Sequence, residues 1–398
     1  MLKKILLIVP SPESRFRLYR YFFQGMIDSF RRLGVDCRVV EGDNGSAIQL
    51  YREVIINQPD CTLCFNGFIP EEGENFLCDE LEVPHIAFLL DPPTRFLTML
   101  KSKHTIVTCM DRSFCAFYNA MQVPEVGQAG ALFMPHAVSR DLHIRPDTER
   151  PIDVLFMATC YDFEGERKLW EKRYSSQVAA IMEKACEMTF QEPYTSFIEA
   201  FTRTLKASKG VDPKQLDWRS ICYDIETYIK GYDRVKLIEA VQKVAHVHIY
   251  GSPQRECGWE TYFPQNAYNV TIHDGVSMEE SGELMKRAKV VLNSCPTVKD
   301  GTHERIFMGL ASGALVCTSE NRYLQEQFKE GDGIIFFPFA DRACCNEKIE
   351  RYLKDEAARV EAVNRGFTIV QQNHTWDSRV KSLQTLLPPI LERFIESN

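Results

Sequence analysis

A chain of 398 residues, 44% apolar and 26% charged, has the length for two ordinary domains and the composition of a folded globular protein. Its formal net charge of -8 excludes a general nucleic-acid binder, because affinity for a polyanion rests on clustered Lys and Arg. No segment is apolar for long enough to span a bilayer. The 14 cysteines, several of them on apolar runs (Cys61, Cys64, Cys109, Cys160, Cys317), read as reduced, buried thiols of a cytoplasmic protein.

Met1 to Lys4 followed by the apolar Ile5 to Val9 has the outline of a secretory signal, but the run stops at Pro10 and no small-residue cleavage site follows, so it reads as a first strand. A strand from Lys4 to Pro10, an amphipathic helix from Arg15 to Leu33 and a strand from Asp36 to Glu41 make a βαβ opening. Short apolar runs recur at Cys61 to Asn66, His85 to Leu90 and Thr105 to Cys109, separated by the helical segments Ile48 to Asn57 and Asp111 to Met121. This alternation predicts an α/β domain over residues 1–145, a parallel sheet covered on both faces. Ligands of such sheets gather at the carboxyl ends of the strands.

Three strand ends in this half carry polar groups. The loop Pro10 to Arg15 lacks G-x-G-x-x-G, which argues against a dinucleotide fold, and Phe65-Asn66-Gly67-Phe68 is a plain strand-to-turn signal. Asp91 follows a fully apolar strand and precedes two prolines, which makes it a candidate general base or acceptor-binding group; the alternative is a helix cap or loop brace. His136, after Phe133-Met134-Pro135, has the pKa range to take a proton near neutrality, and its alternative is a structural histidine. A polar linker, Pro146 to Pro151, follows.

The second domain opens on a strand, Ile152 to Thr159. Residues 162–232 read as a helical insertion, with Trp170, Tyr174, Val178 and Ile181 and then Phe197, Phe201 and Leu205 at helical spacing. It either packs across the domain or docks a bulky acceptor such as a protein. A helix, Val235 to Val244, leads to a strand at His246 to Tyr250, whose end Gly251-Ser252 permits close approach to backbone. After Val270 to His273 comes the turn Asp274-Gly275-Val276, and Ser277 caps the next helix with Glu280 in a capping box. Neither a D-x-D pair nor a Cys/His ligand set appears, so no metal site and no resident cofactor are expected; Cys61 and Cys64 read as core, and the vicinal Cys344-Cys345 as packing or a redox-sensitive pair.

The stretch Lys289 to Thr318 is the most informative. A buried strand (Val290, Val291, Leu292, Asn293) runs through a loop, Val298 to Arg305, into a helix that ends at Ala311. Ser312-Gly313-Ala314 then turns into a second strand. A strand that opens through a glycine into a helix aims amide groups and the helix dipole at one point, which favours an anion. His303 and Arg305 lie at that helix start, where positive charge is unfavourable unless an anion offsets it; the alternative is a solvated arginine.

The run Asp300-Gly301-Thr302-His303-Glu304-Arg305 through Met308, Ala311 and Gly313 to Val316 resembles the donor-binding segment of bacterial GT-B glycosyltransferases, especially the spore-maturation (CgeB-like) group. The likeness extends from about Asp153 to Trp376. It implies two doubly wound domains facing a cleft. The first would take a protein or glycan acceptor, the second, residues 152–375, would hold a nucleotide-diphosphate sugar, and a terminal segment, 376–398, would pack back on the first domain. It implies further that Gly251 and Ser252 face the diphosphate, that Gly275 and Val276 contact the nucleobase, and that the two glutamates flanking the helix in retaining enzymes correspond to Asp300 and Met308. Asn293, Lys299, Asp300, Gly301, Thr302, His303, Glu304, Arg305 and Gly313 complete the expected donor site. Arg305, Lys299 and amides near Gly301 and Gly313 would stabilise the leaving diphosphate without a metal. Asp91 and His136 are the expected catalytic groups. The alternatives are a non-catalytic nucleotide-sugar or glycan-binding protein, and a nucleotide-sugar epimerase.

Overall fold

The computed structural model describes residues 2–10, 19–42, 47–70, 75–127, 129–145, 148–254 and 256–396. The loop Ser11 to Arg15 lies outside the described residues. The chain divides into two compact units, Met1–Asp141 with Gln372–Asn398, and Leu142–Gln371.

The first unit alternates β1 (Lys4–Val9), α1 (Tyr19–Arg32), β2 (Asp36–Glu41), α2 (Ala47–Asn57), β3 (Cys61–Phe65), α3 (Leu77–Glu80), β4 (His85–Phe88), β5 (Thr105–Cys109), α4 (Arg112–Ala120) and β6 (Ala131–Phe133). Its six strands form one parallel sheet in the order β2-β1-β3-β4-β5-β6. Strands β3, β4 and β5 are buried along their whole length, the signature of a sheet covered on both faces.

In the second unit β7 (Ile152–Met157) is followed by four helices, α5 (Phe163–Arg173), α6 (Ser176–Gln191), α7 (Phe197–Ala207) and α8 (Trp218–Val241), before β8 (Val247–Tyr250). The chain continues through β9 (Val270–His273), α9 (Met278–Lys286), β10 (Ala288–Asn293), α10 (Glu304–Ala311), β11 (Leu315–Ser319), α11 (Arg322–Gln327), β12 (Ile334–Phe337), α12 (Asn346–Lys354) and α13 (Glu356–Asn373). The sheet is again parallel, ordered β12-β11-β10-β7-β8-β9. The chain therefore leaves β7 toward one edge, through β8 and β9, and returns to build the other half from β10. The point where direction reverses lies between β7 and β10, and a doubly wound sheet binds its ligand at the carboxyl end of that junction.

The expected break between the helical insertion and a separate helix at Val235 does not exist: α8 is one continuous helix of 24 residues. Gly231 makes this possible. A Cβ there would lie 2.8 Å from Phe163 Cβ and 2.9 Å from the Tyr161 carbonyl, so the bare backbone lets α8 lie flat on the segment that follows β7. The capping box at Ser277 and Glu280 is present, with Glu280 N donating to Ser277 Oγ at 3.2 Å and Ser277 N to Glu280 Oε2 at 2.8 Å.

The last two helices, α14 (Trp376–Leu386) and α15 (Pro388–Glu396), belong to the first unit. Trp376 is 2% exposed and packs against Phe88 and Phe65, with ring centroids 5.9 and 6.1 Å away. It also fills the space beside Gly25, where a Cβ would stand 2.4 Å from its ring. Arg379 donates to the carbonyls of Pro135 and His136, each at 2.8 Å.

Candidate functional site

The junction of β7 and β10 is occupied by two arginines. Arg305, at the start of α10, donates from Nη1 to Asn293 Oδ1 at 3.2 Å and from Nη2 to His303 Nε2 at 3.2 Å. Asn293 closes β10, is fully buried, and donates from Nδ2 to Thr318 Oγ1 of β11 at 3.0 Å. His303 is the helix N-cap rather than part of the first turn. Since a guanidinium only donates, His303 Nε2 accepts from Arg305, while Nδ1 lies 2.7 Å from Glu304 Oε2 and 3.5 Å from Arg305 N, which it caps. The ring is thereby placed to orient Arg305.

The second arginine, Arg234, comes from α8 and was not singled out in the sequence. It is 6% exposed, donates from Nη1 to the Thr159 carbonyl just beyond β7 at 2.6 Å, and lies 4.7 Å from the centroid of the Tyr161 ring. Its Nε has no hydrogen-bond partner. Burial pulls its pKa below the usual guanidinium value; Tyr161 opposes this, and the positive charge of Arg305 adds a smaller lowering. Among the described residues neither Arg234 nor Arg305 has a carboxylate within ion-pair distance. Beside them Arg342 has one, with the fully buried Asp233 at 2.7 Å. Two buried or half-buried cations without counter-charge at the sheet's switch point repel each other, and that repulsion is relieved by an anion.

The amino end of α10 adds its dipole at the same place. The remaining loop is held from behind. Ser294 Oγ donates to Asp233 Oδ2 at 2.6 Å, Asn321 Nδ2 to the Val298 carbonyl at 3.0 Å, and Arg322 N to the Lys299 carbonyl at 3.0 Å. Gly301 and Thr302 are buried, and Asp300 is 9% exposed with Arg322 at 3.9 Å.

Two expected donor residues are placed elsewhere. Lys299 is fully buried, its Nζ 2.8 Å from the Thr189 carbonyl of α6 and 3.8 Å from the centroid of Phe339; it pins the loop to the helical insertion and presents no charge outward. Gly313 lies beyond the carboxyl end of α10, where its φ of +85° and the bonds Gly313 N to Leu310 O (3.0 Å) and Ala314 N to Gly309 O (2.9 Å) make a Schellman cap. It therefore sits at the amino end of β11, opposite the ligand-binding edge, against Arg150, whose Nη2 holds the Ser312 carbonyl at 2.8 Å.

The loops after β8 and β9 meet. A Cβ on Gly275 would stand 2.3 Å from Ser252 Oγ, and one on Gly251 would stand 1.8 Å from the Ala158 carbonyl. Gly251, Ser252 and Gly275 thus form one surface beside the end of β7, next to Val276. Tyr250 and His273, the last residues of the two strands, stack at 4.2 Å.

In the first unit, Asp91 is partly exposed and receives Asn66 Nδ2 at 2.9 Å and Arg95 Nη1 at 3.3 Å. Asn66 was read as a plain turn residue, yet its backbone is left-handed, with φ of +58°. Its Oδ1 also accepts from Leu90 N at 2.8 Å, so one side chain joins the ends of β3 and β4 and aims the carboxylate. His136 is 2% exposed and points Nε2 at Met110 Sδ, 3.2 Å away. It belongs to the core beside Phe22, and burial removes it from contact with a solvent-borne acceptor.

Residues 234–385 match the model of a family described as glycosyl transferase-like. Solved structures match over the whole chain. A glycosyltransferase from Rickettsia africae ESF-5 superposes with a TM-score of 0.55 at 11% identity, covering 100% of both chains. Alr3699/HepE of Anabaena, in complex with UDP and glucose, gives 0.53 at 10% identity, over 97% of this chain and 99% of that one. T4 phage BGT, in complex with UDP and Mn2+, gives 0.51 at 9%, over 96% and 98%. The fold is GT-B. The segment matched by the family model runs from Arg234 into α14. No curated protein matches the chain. The matched segment opens on Arg234 and contains Arg305, so both cations without a carboxylate partner fall inside it. Among the described residues no cluster of His, Cys, Asp and Glu suits a metal ion, and no helix is long and apolar enough to cross a membrane.

Proposed function

We propose that the chain transfers a sugar from a nucleoside-diphosphate sugar, bound by its second unit, to a protein or glycan acceptor. The observation that carries this reading is the pair Arg234 and Arg305, two guanidinia without carboxylate partners at the β7/β10 junction. A diphosphate leaving group develops charge as the glycosidic bond breaks. Fixed donors already aimed at that charge lower the barrier without reorganising. The α10 dipole acts in the same sense, and together these charges support a metal-independent donor site with no resident cofactor. The complexes of Alr3699/HepE with UDP and UDP-glucose make uridine nucleotides the first donors to try. The finer likeness to the spore-maturation group rests on the run Asp300 to Val316 and belongs to the same proposal, as does a cytoplasmic location. Asp91, oriented by Asn66 and Arg95, is the acceptor-side group of the first unit.

The test is a thermal-shift screen over nucleoside diphosphates, followed by a turnover assay with the best ligand in the presence of EDTA. A ligand that favours the folded state raises its melting point. No shift with any nucleotide, or turnover abolished by chelation, would refute the donor site or its independence of metal respectively. Binding without release of nucleoside diphosphate to any acceptor or to water would favour a non-catalytic binding protein.

A further inference from the structure

Of the 14 cysteines only Cys257 and Cys344 escape full burial. Cys257 lies with its sulfur 4.0 Å from that of Cys160, a residue 97 positions earlier. Backbone pairing holds the two segments together. Cys160 N donates to the Ser252 carbonyl at 3.0 Å, and Gln254 N donates to the Cys160 carbonyl at 3.0 Å. Bridges join Cys160 to Pro253 and Gln254 to Cys257, so both thiols flank the same two residues. Trp259 Nε1 adds a bond to the Ala158 carbonyl at 3.1 Å. A sulfur separation of 4.0 Å closes to bonding distance, about 2.05 Å, by modest side-chain rotation when the backbone is already paired.

We propose that Cys160 and Cys257 are a redox-sensitive modification site that forms a reversible intrachain disulfide between the segments following β7 and β8. With a small-molecule disulfide as oxidant, the half-exposed Cys257 attacks as thiolate and forms a mixed disulfide, releasing one small thiol. Cys160 then loses its proton to solvent and attacks the Cys257 sulfur, expelling the second small thiol. Two protein thiols are oxidised and one small disulfide is reduced to two thiols. Burial and the neighbouring Cys257 hold the Cys160 thiol well above its ordinary pKa, so the second step is the slow one and accelerates with rising pH. Cys160 directly follows Thr159, whose carbonyl holds Arg234. The disulfide therefore reaches the arginine pair, a consequence that rests on the donor-site reading.

The experiment treats the full-length protein with oxidised glutathione, digests it without reduction, and identifies cross-linked peptides by mass. The expected product is a peptide pair joined through Cys160 and Cys257, about 2 Da lighter than the sum of its thiol forms, absent from Cys257→Ser and removed by dithiothreitol. The oxidised wild type unfolds on the order of 5 °C higher, because the closed loop is long, and Cys257→Ser shows no such rise. Failure of the pair to cross-link in the folded protein, while the exposed Cys344 is modified, overturns the proposal. A second arm measures UDP affinity before and after oxidation, with a change of about tenfold expected as Arg234 is displaced. Cross-linking with unaltered UDP affinity overturns the link to Arg234. UDP binding to neither form counts against the donor site instead, and the disulfide stands on its cross-link.

Discussion

Asn293 Oδ1 accepts the Arg305 guanidinium at 3.2 Å while its Nδ2 donates to Thr318 Oγ1 at 3.0 Å. One amide thus ties the ends of β10 and β11 to the head of α10 without neutralising the cation. Asn293→Asp keeps the shape and adds the missing charge. The ligand-free protein is expected to be more stable, since Arg305 gains an ion pair, while nucleoside-diphosphate affinity falls about tenfold, or about 1.4 kcal/mol. Calorimetric titration with UDP beside thermal unfolding measures both; a variant that binds UDP as tightly as the parent contradicts the role given to Arg305.

Arg305→Ala removes a fixed charge from the leaving group. A loss of about 10²- to 10³-fold in turnover is expected, with a melting point close to the parent's because the side chain is only half-buried. Wild-type turnover in this variant would be incompatible with the proposed chemistry.

Arg234→Met is expected to separate binding from stability. The guanidinium is 6% exposed, and its Nε is unpartnered, so an apolar side chain of comparable length costs the ligand-free fold little or stabilises it. The rise in melting point produced by UDP should disappear. A variant that unfolds early yet retains the ligand-induced rise would mark Arg234 as a structural residue.

Acid should weaken the first unit. Burial lowers the pKa of His85 to about 4, and burial followed by the Arg379 charge lowers that of His374 to about 3. Both stay neutral in the folded chain while the unfolded chain takes up protons below about pH 6.5. The unfolded state then binds more protons, so stability falls as pH drops from about 6.5 toward 4 and is flat above. His85→Gln should flatten part of that decline, as read from urea midpoints across the range.

The alternation of strands and helices was legible because each strand is a short apolar run bounded by turn residues, and the capping box at Ser277 needs only local spacing. The loop before α10 was legible up to the direction of its side chains. Lys299 and Arg305 look alike in a sequence, yet one is drawn inward by the Thr189 carbonyl and the Phe339 ring, contacts 110 positions away for the former. Gly313 carried the right residue type for an anion site and also for a helix C-cap, and chain direction in a parallel sheet assigns it to the wrong edge. Arg234 was missed because a helix of 24 residues was divided at that point, and in the sequence it does not stand out from its charged neighbours Lys230, Asp233 and Lys236. Asn66 escaped for the opposite reason, since its left-handed backbone made it look like an ordinary turn.

Asn66→Gly retains the backbone conformation and loses both side-chain bonds, whereas Asn66→Ala loses the bonds and adds strain of about 1 kcal/mol. The alanine variant should therefore be the less stable of the two, by thermal unfolding, although both release Asp91 equally.

The chain leaves its first unit at Asp141 and re-enters at Gln372, and Trp376 and Arg379 complete the packing around Phe65, Phe88 and the Pro135 carbonyl. On the ribosome this orders events. The half that is synthesised first waits, with its aromatic core uncovered, until the final turns of helix emerge, while the middle of the chain already has every strand it needs. A nascent chain stalled short of Trp376 would present a finished second unit tethered to an unfinished first one.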